Sequence, residues 1–407
     1  DLHRSPHVVG GLEMFGRVGA IIALALLQGV PALAATSDEA LRAAMQQSLN
    51  SYVTTYAKPE HISAVSLSVS LPGTPQNINL TAGQRSWQGG GPVAADDLWQ
   101  IGSNTKAFTA AELLQLEAEG KLNIDQTVGD WLPQYPAWKS VTIRRLLDMT
   151  SGIQGYDNVP AMAEAWATIH RRFTPEQLVG FADPIYPNAP KPTHGWNYSN
   201  TNYMLAGMII ERASGHSYAD EIKRRFFVPL GLTNTFYSPN VYPKSVTDRM
   251  VSGYWANTGP GNEALARFLN QDMRLADMSW AGAAGGIVST PEDLTRWARA
   301  LYKGDLLADK QRRELMSIVS VKNGQPIAVT SAADPQGFGL GVGQATRPTL
   351  GTYWYYQGET LGYRMVYAWF PKSDVVLAVG VNSQPTDNHI GDLLEGLWTA
   401  LHRYGKV

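Results

Sequence analysis

The sequence predicts an α+β fold, in which an antiparallel sheet built from both ends of the chain is flanked by helices and receives an inserted, mainly helical region. Three observations support this class. Residues 65–71 alternate apolar and serine side chains, which is the pattern of a half-buried antiparallel strand. Strand patterns return only after Gly285, at residues 352–356, 364–370 and 375–381. Between these two groups the chain reads as helical segments separated by proline-rich loops.

This order divides the chain into three parts. Residues 1–34 form a leader, and residues 35–102 together with 283–407 form an α/β sheet domain. Residues 103–282 form the mainly helical region, which carries a Ser-x-x-Lys helix and a Tyr-Ser-Asn loop.

The remaining elements follow from periodicity and turn residues. Residues 38–56 place apolar side chains on one stripe, which predicts an amphipathic helix. Residues 76–80 and a turn at the glycines 89–91 predict a hairpin. Residues 103–119 predict a helix that a glycine ends, and residues 390–402 close the chain as another amphipathic helix.

Composition limits the function. The chain has 407 residues, 44% hydrophobic and 17% charged, with a net charge of -2 and no basic block, so it lacks the footprint of a nucleic-acid-binding protein. There is no cysteine, which excludes disulfides, thiolate catalysis and cysteine metal sites. The histidines lack the spacing of a helical ligand pair. We expect no metal and no cofactor, and a small-molecule or peptide substrate as partner; the oligomeric state stays open.

Residues 14–34 have the pattern of a secretion signal. A short arginine-bearing stretch precedes an apolar run at residues 18–27, which is too short to span a bilayer, and residues 32–34 read Ala-Leu-Ala. An anchoring helix is the alternative reading, but polar and helix-breaking residues interrupt the run. We interpret residues 1–13 as non-native or mis-started sequence. The sequence predicts an exported bacterial protein, periplasmic or secreted, with no stable membrane span after signal removal.

A serine and a lysine three residues apart open the helix predicted at residues 103–119. Ser103 and Lys106 share one helix face, so the amine lies within reach of the hydroxyl. A serine hydroxyl is a poor nucleophile until a base takes its proton, and a lysine removed from water becomes neutral enough to do so. The same spacing also arises from a capping serine followed by a solvated lysine, so the pair alone does not decide.

A second motif, Tyr198-Ser199-Asn200, opens another helical run further along the chain. In isolation it would be an aromatic residue that packs beside a helix cap. Beside a Ser-x-x-Lys helix, its phenol can move the serine proton, and its amide can hold Lys106 or a substrate carbonyl.

Several stretches, in the same order, resemble the serine β-lactamase and penicillin-binding-protein-like family. Besides the two motifs above, they are residues 143–152, residues 229–235 (Pro-Leu-Gly-Leu-Thr-Asn-Thr) and residues 285–294 (Gly-Gly-Ile-Val-Ser-Thr-Pro-Glu-Asp-Leu). The likeness covers about residues 64–381 and fits the branch of class C β-lactamases, D-alanyl-D-alanine carboxypeptidases, D-aminopeptidases and related esterases. It implies a β-lactamase/transpeptidase-like fold and a serine hydrolase that works through an acyl-enzyme.

The resemblance implies a role for each motif residue. Ser103 is the nucleophile, Lys106 and Tyr198 are the other catalytic residues that handle its proton, and Asn200 binds and positions the substrate. The family's third element is Lys-Thr-Gly or His-x-Gly on a strand. Here the glycine–tyrosine pair at 362–363 sets the register, and the element reads Tyr-Gln-Gly at residues 356–358.

This third element departs from the family, because a phenol replaces the cation that binds a substrate carboxylate. Tyr356, Gly358 and Glu359 are the further predicted substrate-binding residues, and the resemblance implies that the Glu359 amide pairs with the amide of the nucleophile as an oxyanion hole. Glu359 adds a negative charge if its side chain faces the cleft, whereas Arg364 on the next strand is a candidate to restore the cation. We expect poor binding of carboxylate-tailed substrates and better turnover of esters, amides or peptides with a free ammonium.

Other functions stay open. The protein is alternatively a D,D-carboxypeptidase or β-lactamase anchored by Arg364, or a catalytically silent cell-wall-binding protein whose third element has decayed. Residues 215–219 almost spell the nucleophile elbow of α/β-hydrolases, but a helical run precedes them where that elbow needs a strand. The sequence leaves open the natural substrate, the leaving group, and whether water or an amine accepts the acyl group.

Overall fold

The computed structural model describes residues 36–159, 162, 165, 168, 170–185, 191–238 and 240–407. The predicted signal at residues 14–34 and the preceding segment lie outside these ranges. Within them, the structure contains no helix with the length and apolar character needed to cross a membrane.

The structure arranges its elements around one large sheet. The helices are α1 (Ser37–Tyr56), α2 (Thr105–Ala118), α3 (Val128–Trp131), α4 (Ile143–Leu147), α5 (Pro175–Ala182), α6 (Asn200–Ser214), α7 (Tyr218–Ile222), α8 (Lys244–Thr247), α9 (Gly282–Gly285), α10 (Pro291–Lys303), α11 (Asp309–Leu315) and α12 (Ile390–Arg403). The strands are β1 (Ala64–Ser70), β2 (Ile78–Ser86), β3 (Gly89–Pro92), β4 (Trp99–Gln100), β5 (Phe236–Tyr237), β6 (Tyr254–Ala256), β7 (Ile287–Ser289), β8 (Ile318–Ser320), β9 (Pro326–Ile327), β10 (Gln336–Phe338), β11 (Gly343–Arg347), β12 (Gly351–Glu359), β13 (Arg364–Phe370), β14 (Val375–Val381) and β15 (Ser383–Pro385).

The large sheet joins strands from both ends of the chain. Its order is β3-β2-β1-β14-β13-β12-β11-β10-β8-β9, and the paired strands run antiparallel. The junction between the two chain ends is the β1–β14 pair, with Leu67 opposite Val379. The sheet is therefore complete only when the C-terminal strands are present to pair with β1.

Each face of the sheet supports its own core. Side chains that alternate to one face, such as Val366 and Val379, pack with α1 and α12. Those on the other face, such as Tyr356 and Tyr367, pack with the helical region around α2 and α6. Because side chains alternate along a strand, the same strands supply both layers.

The strand near the N-terminus differs from its prediction. β1 is buried along its whole length, so it is not half-buried. Its apolar residues pack on the α1 face, but Ser66 and Ser68 are buried as well, each with about 1% of its surface exposed. The reason is that α10 covers the serine face of β1, which alternation alone does not reveal.

The other element boundaries differ in ways that concern the site. The glycines at 89–91 form part of β3 instead of the predicted turn. The strand predicted at residues 352–356 extends to Glu359 in β12. The predicted strands 364–370 and 375–381 are confirmed as β13 and β14. The extended end of β12 reaches the segment that carries Ser103.

Candidate active site

Ser103 lies in a tight turn that precedes α2. Residues Gly102–Asn104 form a 3-10 helix, and α2 begins two residues after Ser103. The Asn104 amide fixes the turn, since its Nδ2 donates to Ile101 O at 2.8 Å and to Met365 O at 2.9 Å. The predicted helix thus starts later than expected, but the Ser103 hydroxyl remains aligned with the first turn of α2.

Lys106 is fully buried in that first turn. Its Nζ lies 3.0 Å from Ser103 Oγ, 2.7 Å from Asn200 Oδ1 and 2.8 Å from the carbonyl oxygen of Ala284. Burial lowers the pKa of Lys106 well below its ordinary value of 10.5, and the charge of Asp157 opposes this shift only in part. The amine therefore loses its proton at a lower pH than an exposed lysine does.

The three neighbours of Lys106 fix how a neutral amine is oriented. A neutral amine has two N–H groups and one lone pair. The oxygens of Asn200 and Ala284 have no proton to give, so they accept both N–H groups. The lone pair is left for the third neighbour, the Ser103 hydroxyl, which carries a proton. This arrangement is that of a general base poised on a nucleophile.

Tyr198 reaches the same oxygen from the loop before α6. Its Oη donates to Ser103 Oγ at 2.7 Å, and Lys106 Nζ lies 4.8 Å from the centre of its ring. Burial raises the pKa of Tyr198 above its ordinary value of 10, so the phenol is neutral in the resting site. The structure thus brings together the three predicted catalytic residues around one hydroxyl.

Asn200, the first residue of α6, is held by an acid that sequence reasoning missed. The Asn200 Nδ2 donates to Asp157 Oδ2 at 3.0 Å, which turns the amide oxygen toward Lys106. Asp157 belongs to a 3-10 turn, Tyr156–Asn158, shortly after the matched segment 143–152. A single acid in a loop has no diagnostic spacing, so only its three-dimensional contact identifies it. The same is true of the Ala284 carbonyl.

The end of β12 meets the Ser103 turn at backbone contact. A Cβ on Gly358 would overlap Ile101 O and stand 2.8 Å from the Ser103 nitrogen. A Cβ on Gly102 would stand 2.5 Å from the Glu359 nitrogen. Glycine is needed at both positions for this approach.

The Glu359 amide points out of the sheet edge at this junction. The N–H of Thr360 donates to Tyr363 O at 3.0 Å, and amide directions alternate along a strand, so the Glu359 N–H points away from β13. β11, the neighbour on that side, pairs with β12 only as far as Tyr355. The Glu359 amide therefore lies beyond the end of β11, beside Gly102, the residue that precedes Ser103.

The Glu359 side chain has a different environment from the one its position suggested. Its carboxylate accepts hydrogen bonds from Gln357 at 2.6 Å and from Gln384 at 2.7 Å. It alternates to the strand face opposite Tyr356. Burial raises its pKa, although these two amides and Arg364 oppose the shift. The contacts described do not join this carboxylate to Ser103, Lys106 or Tyr198, so the predicted negative charge does not face the nucleophile.

Arg364, the candidate that the sequence left open for the missing cation, does not restore it. Its side chain is fully buried, and its Nη2 lies 2.7 Å from Glu60 Oε2. It also donates to Ser383 O at 2.8 Å and to Asn388 Oδ1 at 2.7 Å. This guanidinium joins the loop after α1 to β13 on the face of the sheet away from Tyr356. A carboxylate anchor at Arg364 is therefore excluded.

Tyr356 lies where the cation was expected, and it contacts the catalytic phenol. Its Oη donates to Tyr198 Oη at 3.2 Å. Its ring packs edge-on against the ring of Phe338, with their centroids 5.9 Å apart. The Phe338 ring also packs edge-on against Trp196, with their centroids 5.7 Å apart. The wall of the site at this point is aromatic and uncharged.

Neither His194 nor Ser217, the serine of the elbow-like residues 215–219, joins the site. His194 is exposed on the loop before Tyr198. Ser217 caps α7 by accepting from the Asp220 N–H, and the helix α6 precedes it, ending at Gly215 with a left-handed φ of 76°. The elbow alternative is therefore wrong, because a helix C-cap occupies the place of its strand.

The sequence of the chain is similar to those of known proteins. Residues 49–396 match the family model described as Beta-lactamase. Penicillin-binding protein 4* of Bacillus subtilis (strain 168) is 32% identical over 238 residues, which cover 58% of this chain and 52% of that protein. The chain thus spans about half the length of that curated relative.

Solved structures resemble the chain over most of its length. The D-stereospecific amidohydrolase from Streptomyces sp. is 27% identical with a TM-score of 0.73, and the match covers 88% of this chain and 98% of that one. The D-amino acid amidase from Ochrobactrum anthropi SV3, complexed with D-phenylalanine, is 25% identical with a TM-score of 0.74 and covers 89% and 99%. These likenesses confirm the predicted α+β, β-lactamase/transpeptidase-like fold.

Proposed function

The chain belongs to the beta-lactamase family, and we propose that it is an exported serine hydrolase that forms an acyl-enzyme at Ser103 with a small ester, amide or D-amino-acid-containing peptide. The observation that carries this proposal is the convergence on one hydroxyl. Tyr198 Oη lies 2.7 Å and Lys106 Nζ 3.0 Å from Ser103 Oγ. A nucleophile with two proton-handling groups in contact is the arrangement that acyl transfer requires.

Acylation begins with attack of Ser103 Oγ on the substrate carbonyl, while the hydroxyl proton passes to the lone pair of Lys106. The new oxyanion is held by the main-chain N–H groups of Ser103 and Glu359, each of which typically contributes about 3 kcal/mol to the transition state. When the intermediate collapses, the leaving nitrogen or oxygen takes the bond's electron pair and the proton of Tyr198. Lys106 then returns its extra proton to Tyr198, which restores both groups.

Deacylation reverses these roles. Water takes the place of the leaving group, gives its proton to the Tyr198–Lys106 pair, and attacks the ester carbonyl of the acyl-enzyme. The carbon–oxygen bond to Ser103 breaks and Ser103 recovers a proton from Lys106. An amine that binds in the place of water would be transferred instead of hydrolysed.

Two observations support amides and D-amino-acid derivatives as the substrate class. The solved relatives named above are a D-stereospecific amidohydrolase and a D-amino acid amidase. At the position of the family's cation, Tyr356 offers a neutral phenol, and Arg364 is paired with Glu60. Substrates without a carboxylate tail therefore lose the least binding energy when a phenol replaces the cation.

Export is part of the proposal. It is supported by the signal-like pattern at residues 14–34 and by the penicillin-binding proteins among the relatives. Expression of the full chain in a bacterial host, followed by cell fractionation and N-terminal sequencing, tests it. We expect a periplasmic or secreted form that starts at about Ala35; an intact cytoplasmic form would contradict export.

Covalent labelling tests the enzyme directly. A fluorophosphonate should add one adduct to the purified protein, and peptide mapping should place it on Ser103. S103A is the matched control and should remain unlabelled. If the wild-type protein were not labelled while folded, a silent cell-wall-binding protein would be the better reading.

A substrate panel tests the class. A p-nitrophenyl ester, a D-amino acid amide and nitrocefin should be compared by turnover and by the mass of the acyl-enzyme on the intact protein. We expect the ester and the amide to exceed nitrocefin in kcat/KM. A clear preference for nitrocefin would make the protein a β-lactamase and would contradict the proposed class.

A further inference from the structure

We propose that Tyr356 is a positioning residue for proton transfer, which holds the Tyr198 oxygen and donates a hydrogen bond to it while Tyr198 gives its proton to the leaving group. The inference rests on the proposed function, because it takes Ser103 as the nucleophile. It gives Tyr356 a task in the chemistry, in place of the substrate contact that its position in the sequence predicts.

The hydrogen bonds around Ser103 run in one direction. A phenol has a single proton, and Tyr198 uses its proton on Ser103 Oγ at 2.7 Å. The Tyr198 oxygen in turn accepts a hydrogen bond from Tyr356 Oη at 3.2 Å. Because a neutral Lys106 gives its two N–H groups to Asn200 and Ala284, its lone pair is the acceptor for the Ser103 proton, and the two atoms lie 3.0 Å apart. The chain of hydrogen bonds runs from Tyr356 to Tyr198 to Ser103 to Lys106, in which the first three members each donate once and Lys106 accepts.

This direction matters when an amide is cleaved. The bond between the carbonyl carbon and the leaving nitrogen breaks, its electron pair stays on nitrogen, and that nitrogen takes the proton of Tyr198. Tyr198 is briefly a phenolate. The Tyr356 O–H then donates to a charged oxygen, and hydrogen bonds to charged groups are stronger than those between neutral groups. The proton that Lys106 took from Ser103 finally moves to Tyr198, so no proton is gained or lost.

The surroundings explain why a donor is needed. Tyr198 is buried enough that its pKa is raised, so its phenolate is costly in the resting site. Asp157 in the turn before α5 and Glu359 at the end of β12 are acids whose charges disfavour the phenolate. Lys106 Nζ, 4.8 Å from the centre of the Tyr198 ring, favours the phenolate once it has taken the Ser103 proton. Tyr356 supplies a donor without adding a charge, and Phe338 holds its ring in place.

The leaving group provides the test. An alkyl amide must receive a proton to depart, whereas p-nitrophenolate leaves without one. We therefore expect Y356F to lower the rate of acylation by a D-amino acid amide about 10- to 100-fold. Acylation by a p-nitrophenyl ester of the same acyl group should change less than about threefold, and KM should change little for either substrate.

Two further variants make the result specific. Y355F removes the neighbouring phenol on the opposite strand face, and both rates should match those of the wild type. Y356H restores a donor, and its amide-to-ester ratio should exceed that of Y356F. Should Y356F not fold, Y356H and Y356L form the donor and non-donor pair for the same comparison.

The inference is overturned if the amide-to-ester ratio of Y356F stays within about threefold of the wild type. Equal ratios in Y356H and Y356L would overturn it in the same way. Failure of the proposed function looks different, because the wild-type protein would then neither label at Ser103 nor turn over either substrate.

Discussion

The amino nitrogen of Lys106 lies 3.0 Å from the hydroxyl oxygen of Ser103, across the junction between a 3-10 turn and α2. Both residues are buried, so neither group exchanges its partner for water. The free energy of protonating Lys106 is therefore set by its fixed neighbours, and this links the pH dependence of the protein to its catalytic geometry.

The first prediction concerns the pH profile. A base must be neutral, so kcat/KM should rise with pH as Lys106 loses its proton. Because burial lowers the pKa of Lys106, this rise should be centred well below pH 10.5. K106R should lose at least about 10²-fold in kcat/KM, since a guanidinium does not give up its proton.

The measurement is kcat/KM for a p-nitrophenyl ester between pH 5 and pH 10. Direct labelling of Ser103 by a fluorophosphonate over the same range provides a second readout of the nucleophile. A rise centred at or above the ordinary lysine value, or an active K106R, would remove Lys106 from its assigned role.

The second prediction concerns the contact between β12 and the Ser103 turn. In G358A the new methyl group would overlap Ile101 O, so the end of β12 must move away from the turn. A displacement of about 1 Å at a reacting group costs on the order of 10²-fold in rate. We expect a loss of that size in acylation, measured by stopped-flow with a chromogenic ester.

A matched glycine serves as the control for this loss. Gly391, in the first turn of α12, has open space around its Cβ position. G391A should keep full activity and gain up to about 1 kcal/mol in the free energy of unfolding, because alanine is the better helix residue. If G358A were as active as G391A, the proposed oxyanion site at this junction would be wrong.

Much of the fold was predictable because local patterns and burial agree there. β13 and β14 are buried on both faces, and their apolar runs mark their ends well. β1 was predicted as half-buried because serines usually face water, whereas α10, distant in sequence, covers them. The fold therefore departs from prediction where a helix from elsewhere in the chain decides burial.

In the site, too, local contacts were predictable and most distant ones were not. Ser103 and Lys106 share one turn, so their contact follows from spacing. Asp157 supports Asn200 through a loop with no diagnostic pattern. Strand register made Arg364 a reasonable anchor for a substrate carboxylate, but Arg364 instead forms an ion pair with the buried Glu60 in the loop after α1. The family resemblance implied the distant contact between Tyr198 and Ser103, but the contacts of Asp157 and Glu60, which no motif marks, could not be predicted from one sequence.

The third prediction tests the assignment of Arg364 to structure. R364M removes the guanidinium from the buried Glu60, which keeps its contacts with Tyr52 and His389, and the loss should cost about 3–5 kcal/mol in the free energy of unfolding. R403M, at an exposed position of α12, should change stability by less than about 0.5 kcal/mol. Urea denaturation measures both. The ratio of nitrocefin to amide turnover should be equal in R364M and the wild type; a selective loss for nitrocefin would reinstate Arg364 as an anchor.

The fourth prediction concerns Glu112, which lies in α2 behind the site. Burial, with a smaller effect from Glu221, raises the pKa of Glu112 to about 9. The folded protein therefore keeps a proton that the unfolded chain loses between about pH 4.5 and pH 9, so stability should fall as pH rises through this window. E112Q does not titrate, and its stability advantage over the wild type should grow from pH 5.5 to pH 8.5. E395Q, at an exposed position, should show no such growth in urea denaturation.

The last prediction joins stability to catalysis at Lys106. A buried amine with a lowered pKa takes up a proton when the chain unfolds, so it reduces the stability of the folded state at every pH below about 10.5. K106M keeps the length of the side chain and removes this penalty. It should be inactive and yet unfold at a higher temperature than the wild type at pH 7, with a difference that shrinks as the pH approaches 10. S103A is the control for activity loss without a change in buried charge, and its unfolding temperature should show no such pH-dependent difference. Differential scanning calorimetry at pH 7 and pH 9.5 measures the effect, and a K106M protein less stable than the wild type at both values would mean that the amine is charged and well satisfied in the fold.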